Sequence, residues 1–280
     1  MDVHTGAPVP SIPALEIGAV RPHKVPPGVP LQTWRDTLGR VIATGGRDQD
    51  SWWMHWPGLA TFRFGERGSV RAEPAQHGVE ALIEDVFVRG VTPVVLLARD
   101  CEGLHASAVL GRRGLIAFCA DSGTGKSTLA LALSAAGLPQ FADDTVMYRA
   151  TSGTLRAFSL KFPPRVDEEA RRAIDAVPGG VPRQVAPRTT APFAVIYELV
   201  RDRGLNPGSP QIEDVPPTRR FETLLAHAHP FELAAESRRR LFMERLLQLA
   251  RTTEVCRVRF APDLTALSRL VSAVRRHAGE

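Results

Sequence analysis

The chain has few of the residues that would place it among metal-rich, disulfide-bonded or membrane proteins. It has three cysteines, Cys101, Cys119 and Cys256, scattered through 280 residues. No two share the C-x-x-C spacing of a zinc or redox site, and an odd number in such a long chain makes no disulfide framework. They read as buried thiols of a reducing cytoplasm. No run of eighteen apolar residues is present, so no membrane-spanning helix is expected. The proline-rich start lacks the unbroken apolar stretch of a secretory signal.

Lysine is nearly absent. The only three are Lys24, Lys126 and Lys161, so the net charge of +5 comes almost entirely from arginine. Such a balance suits an acidic peptide or a nucleotide. No stripe of basic and aromatic residues runs through the chain, so nucleic acid is not an expected partner. Apolar and charged fractions of 44% and 23% are those of an ordinary globular protein.

One of the three lysines sits in the most informative stretch, Leu115-Ile-Ala-Phe-Cys-Ala-Asp-Ser-Gly-Thr-Gly-Lys-Ser-Thr-Leu-Ala130. An apolar strand, a glycine loop and an Ala/Leu helix follow one another there. Gly123 and Gly125 let the backbone turn its N–H groups toward phosphate oxygens, and the helix that follows adds the positive end of its dipole. Asp121, Ser122, Gly123, Thr124, Gly125, Lys126, Ser127 and Thr128 form the expected nucleotide-binding loop. Lys126 can reach the β- and γ-phosphates and Ser127 can ligate Mg²⁺. The usual pattern opens on glycine, where this chain has Ala120. The plain alternative is a turn that merely starts a helix.

Reading outward, residues 1–30 form a proline-rich segment with one edge strand in 14–20. Residues 34–44 suit a short helix or a strand, ended by Gly45-Gly46. Alternating segments in 51–73 read as a β-meander, its tryptophans as core and His55 as an ordinary strand histidine. A helical pattern over 79–88 is broken at Gly90 and followed by a buried piece, 94–98. Strands 104–110 and 115–120, joined by a four-residue turn, make a hairpin that sets His105 beside the loop strand. The loop helix ends at Gly137. After it Asp143-Asp144 precede strands 145–149 and 155–160. Prolines break 162–192, a candidate mobile, substrate-covering segment with a helix at 167–176. A strand at 193–200, helices at 218–228 and 232–250, a strand at 254–260 and a helix at 264–277 complete the chain. Residues 31–280 are read as a single domain, with subregions 31–100, 101–161, 162–192 and 193–280.

Phosphoryl transfer needs a cradle, a metal and a group that accepts the proton of the attacking hydroxyl. Asp143 and Asp144 can supply a metal ligand and a base, and the pair alone does not assign which does which. His105 could orient them.

With Leu104-His105-Ala-Ser-Ala108, Ala120-Asp-Ser-Gly-Thr-Gly-Lys-Ser127, Gly137 and Ala142-Asp143-Asp144 together, the chain resembles the C-terminal domain of bacterial HPr kinase/phosphorylase and its compact relatives. The shared signature covers about 45 residues. The resemblance implies a sheet-rich α/β nucleotide domain of the phosphoenolpyruvate carboxykinase type, with an N-terminal antiparallel β subregion and C-terminal helices. It implies Lys126 on the phosphates, Ser127 and Asp143 at Mg²⁺, Asp144 as proton acceptor assisted by Asp143, and His105 as orienting group. ATP and Mg²⁺ would be the cofactors and a serine of a small protein or precursor peptide the acceptor. Some compact relatives act on lasso-peptide precursors, and many assemble as homo-oligomers. Thr128 stands where HPr kinases carry Glu, and no Glu-x-Arg-Gly-x-Gly stretch follows. The implied activity is therefore the kinase reaction, and these departures leave the phosphorylase reaction and HPr as acceptor open. A nucleotide-driven switch and a small-molecule kinase are the other readings. Lys161, Arg165, Arg183 and Arg188 are candidate contacts to phosphates or acceptor.

Overall fold

The computed structural model describes residues 10–21, 26, 28–36, 38–48, 51–160, 166–186, 189–231 and 235–280. Lys161, Arg165 and Arg188 lie outside them. The chain forms two compact units, one of residues 10–101 with 230–239, the other of 102–229 with 240–280. Residues 230–239 thus belong with the unit that otherwise ends at residue 101.

The first unit is a six-stranded sheet with helices. Strands β1 (Leu15–Ile17), β2 (Val29–Arg35), β3 (Val41–Arg47), β4 (Trp52–Trp56), β5 (Ala60–Phe64) and β6 (Val70–Pro74) run in the order β1-β6-β5-β4-β3-β2. The expected edge strand is β1, which pairs parallel with β6, and the meander is antiparallel. Trp52, Trp53, Phe62 and Phe64 are buried, as core aromatics should be. His55 is buried against the Thr61 hydroxyl at 3.0 Å.

Two glycines read as breakers do different work. Gly45 lies inside β3, where a Cβ would stand 2.9 Å from the Trp34 ring. It lets an indole lie flat on the strand. Gly90 does not end its helix: α1 (Glu80–Val86) passes through a π-helical turn (Phe87–Val91) into α2 (Thr92–Ala98). A Cβ at Gly90 would sit 3.0 Å from Trp56, so here too glycine makes room for a ring.

The second unit is a mixed α/β structure. Its strands are β7 (Glu102–Leu110), β8 (Leu115–Cys119), β9 (Gln140–Ala142), β10 (Thr145–Thr151), β11 (Thr154–Phe158), β12 (Thr190–Ala191), β13 (Phe193–Arg201), β14 (Gln211–Asp214) and β15 (Glu254–Phe260). They run β12-β11-β10-β7-β8-β13-β15-β14, with β9 paired to β7. The expected β7–β8 hairpin is present, and β8, β13 and β15 are mutually parallel. Every residue of β8 is buried, which is why it reads as an unbroken apolar run. Helices α3 (Lys126–Ala135), α4 (Glu168–Asp175), α5 (Pro217–Ala226), α6 (Glu236–Thr252) and α7 (Leu267–Ala278) accompany the sheet. The core joins β8, β13 and β15 to α3, α4 and α7 through Phe118, Leu133, Ile174, Tyr197, Val258 and Val274.

Part of 162–192 makes hydrogen bonds to neighbouring elements. Arg183 exchanges backbone hydrogen bonds with the Ser134 hydroxyl, both 2.8 Å, and its carbonyl accepts from Gln140 N at 2.7 Å. That holds 183–185 to α3 and β9. Among the described residues no helix is long and apolar enough to cross a membrane.

Glu102, at the head of β7 and fully buried, accepts from Arg245 of α6 at 3.2 Å. Removing one member of a buried ion pair is destabilising. Arg245→Met should lower stability in urea unfolding, and the double variant with Glu102→Gln should recover part of the loss.

Candidate active site

The carboxyl ends of β8, β13 and β15 open onto a cavity of about 680 Å³. The ends of parallel strands are where α/β sheets place ligands. One wall is the glycine loop from Ser122 to Thr128, with His105 and Asp144; the other carries the apolar side chains of Leu199, Phe260, Pro262, Leu267 and Leu270, with Asp167, Glu169 and Asp263 also lining the cavity.

The loop follows directly from its residues. Gly123 and Gly125 have φ of +79° and +113° and their Cβ positions face open space, so glycine is required by backbone conformation alone. Gly125 caps α3 without any side-chain hydrogen bond to the helix. The first N–H groups of α3 therefore point toward the cavity with the dipole's positive end. Ala120 is buried in the core at the end of the strand, outside the positive-φ turn. That is why alanine serves where the usual pattern has glycine.

Lys126 is 6% exposed, and its Nζ donates to the carbonyls of Ala120 (2.9 Å) and Asp121 (3.1 Å) and to His105 Nε2 (3.0 Å). Burial holds its pKa below the ordinary lysine value. His105 Nδ1 lies 3.1 Å from the Asp144 carbonyl. A carbonyl only accepts, so Nδ1 carries the proton and Nε2 takes the ammonium's hydrogen bond. His105 is neutral, its pKa lowered first by burial and then by Lys126.

The two aspartates separate. Asp143 is 5% exposed and accepts from Ser107 Oγ at 2.8 Å, while Ser107 Oγ lies 3.4 Å from Ser127 Oγ. Asp143 thus belongs to the buried side of the loop helix. Asp144 is exposed, lines the cavity, and has φ +66°, a left-handed backbone that Asp tolerates better than most residues. Asp121 is exposed, and Arg183 is not among the residues lining the cavity.

No protein-family model matches the chain, and no curated protein matches it in sequence. Among solved structures, the HPr(Ser) kinase/phosphatase from Coxiella burnetii aligns over 62% of this chain and 89% of its own, at 13% identity and a TM-score of 0.33. A likeness that weak carries no argument about activity. The chemistry has to be read from the side chains themselves.

Three participants escape the motif. Ser107 was legible: two residues after His105 on a strand, it must share that residue's face. Arg201, at the end of β13, lines the cavity and braces the loop by donating to the carbonyls of Gly123 (2.7 Å) and Thr124 (3.1 Å). His229 stacks edge-on against His105 with ring centroids 5.7 Å apart. Both depend on sheet order and long connections, which no local pattern reveals.

Burial, with His105 next in importance, lowers the pKa of His229 to about 4. The unfolded chain binds that proton near 6.5, so between the two values it holds more protons than the folded one. Stability therefore falls as pH drops from about 6.5 toward 4, by up to about 3 kcal/mol; His105 adds in the same direction. Urea midpoints measured from pH 7.5 to 4.5 should show this slope, and His229→Phe should flatten it. An unchanged slope would remove His229 as its source.

Proposed function

We propose that this chain is an ATP- and Mg²⁺-dependent kinase that passes the γ-phosphate to a hydroxyl, with a serine of a small protein or precursor peptide as acceptor. The observation that carries the reading is the division of the aspartate pair beside the glycine loop. Asp143 is buried with Ser107 toward Ser127, and Asp144 is exposed to the cavity. A loop that only holds a nucleotide needs the first of these and not the second.

The cavity's own features fit the ligands. Uncapped helix N–H groups, a buried ammonium and glycine turns suit phosphates, and the apolar wall suits a base and ribose. On binding, Lys126 exchanges its loop carbonyls for β- and γ-phosphate oxygens. Ser127 Oγ and Asp143 are the residues that would hold Mg²⁺, which when bound neutralises charge on the transferring group. Ser107 orients Asp143. Asp144 accepts the acceptor hydroxyl's proton as the new O–P bond forms, the bond to the β-phosphate oxygen breaks and ADP departs. His105 bridges Lys126 and the Asp144 backbone in its neutral form, so it positions both without itself taking the proton.

Incubation with Mg·ATP and the peptides encoded beside the gene should give an acceptor a phosphate mass gain. Steady ATP hydrolysis with no phosphorylated acceptor would instead support a nucleotide-driven switch. Asn tolerates the left-handed backbone at 144 as well as Asp does, so Asp144→Asn should keep nucleotide binding and lose transfer by about 10²–10⁴-fold. Lys126→Ala should lose both. Ser107→Ala, removing a positioning hydrogen bond, should raise the Mg²⁺ concentration needed for half-maximal activity about 10–100-fold while ATP binding changes little.

A further inference from the structure

Elsewhere in the same unit, four potential ligands meet on one face of the sheet. Asp214 pairs with Cys256 across β14–β15, Tyr197 pairs with Cys256 across β13–β15, and Glu254 lies two residues before Cys256 on the same face. His277, in the last turn of α7, completes the group. Asp214, Glu254, Cys256 and His277 each offer one ligand atom, and all four lie within 4.8 Å of one another. None lines the nucleotide cavity.

We propose that these four residues bind a divalent transition ion, zinc in the first place, as a staple between β14, β15 and α7. Three observations support the assignment. The donor set is one thiol, one imidazole and two carboxylates, which suits zinc; magnesium takes oxygen ligands in octahedral geometry. Tyr197 Oη lies 2.8 Å from His277 Nδ1, so the ion would take Nε2, with the tyrosine hydrogen bond fixing the ring. Among the described residues, neither Asp214 nor Glu254 has an ion-pair partner, so two carboxylates and a thiol converge without a cation.

Cys256 is fully buried, with Sγ 3.4 Å from Asp214 Oδ1 and 3.6 Å from Glu254 Oε1. Its thiol proton points at those carboxylates. Ion binding replaces that proton: the S–H bond breaks, a sulfur–metal bond forms, and the proton leaves to solvent. Tetrahedral bonds of about 2.0–2.3 Å place ligand atoms roughly 3.3–3.8 Å apart, so closing the present spacing needs movements of about 1 Å.

Cobalt(II) chloride titrated into the untagged full chain is the test. One equivalent should bind, with intense visible bands of four-coordinate cobalt and a near-ultraviolet thiolate-to-cobalt band, all displaced by zinc. Cys256→Ser should lose the near-ultraviolet band. His277→Ala and Asp214→Asn, both at exposed positions, should weaken cobalt binding by about tenfold or more and leave nucleotide binding by the ion-free protein unchanged. They keep the test decisive if the buried Cys256→Ser variant fails to fold. Absence of the visible bands, their persistence unaltered in His277→Ala and Asp214→Asn, or a near-ultraviolet band in folded Cys256→Ser would overturn the proposal.

Discussion

The buried ammonium of Lys126 is the constraint on which the candidate site is built. An ammonium withdrawn from water costs several kcal/mol unless all its protons find acceptors. Here it has three: two carbonyls at the end of β8 and the imidazole of β7. The third exists only because β7 lies between β8 and β10, with Ala106 opposite Cys119 and His105 opposite Thr145. That register places His105 beside the strand that feeds the loop and next to the residue that follows Asp144. One charge thus ties the loop, the histidine and the aspartate junction into a single arrangement.

The same junction explains how consecutive carboxylates can do different things. Ala106 N donates to the Asp144 carbonyl at 3.2 Å, and His105 Nδ1 donates to that same oxygen. Both bonds anchor the backbone, leaving the Asp144 side chain exposed, while Asp143 turns inward to Ser107. The left-handed backbone at Asp144 is the local strain that makes this reversal feasible, and such strain is sustained where surrounding contacts over-determine it.

Much of this was legible because it is local. The glycine turns, the loop lysine, the hairpin and the α3 stop follow from backbone rules that act within a few residues. Ser107 follows from strand alternation. Arg201, His229 and the short strand β14 do not, since each owes its place to strands far away in sequence. Gly45 and Gly90 were misread for a complementary reason: a glycine marks a break when its backbone is the issue, but here it clears space for Trp34 and Trp56. The aromatic that needs the space is eleven residues away in one case and thirty-four in the other. The division into two units was hidden in the same way, since residues 230–239 return to a unit whose other residues end at 101.

The shared elements of the second unit bear on how its two groups of polar residues could influence each other. β13 carries Tyr197 beside Cys256 and ends in Arg201 at the loop; β15 carries Glu254 and Cys256 and ends in Phe260 at the apolar wall. Cys256 and Phe260 are four residues apart, about 13 Å along a strand. Leu270 and His277 are seven apart, about 10 Å along a helix. An ion held between β15 and the end of α7 would therefore fasten together two elements that form the apolar wall without touching the loop. It would act on the part of the cavity suited to a base and ribose, leaving Lys126, Asp143 and Asp144 where the sheet register already puts them.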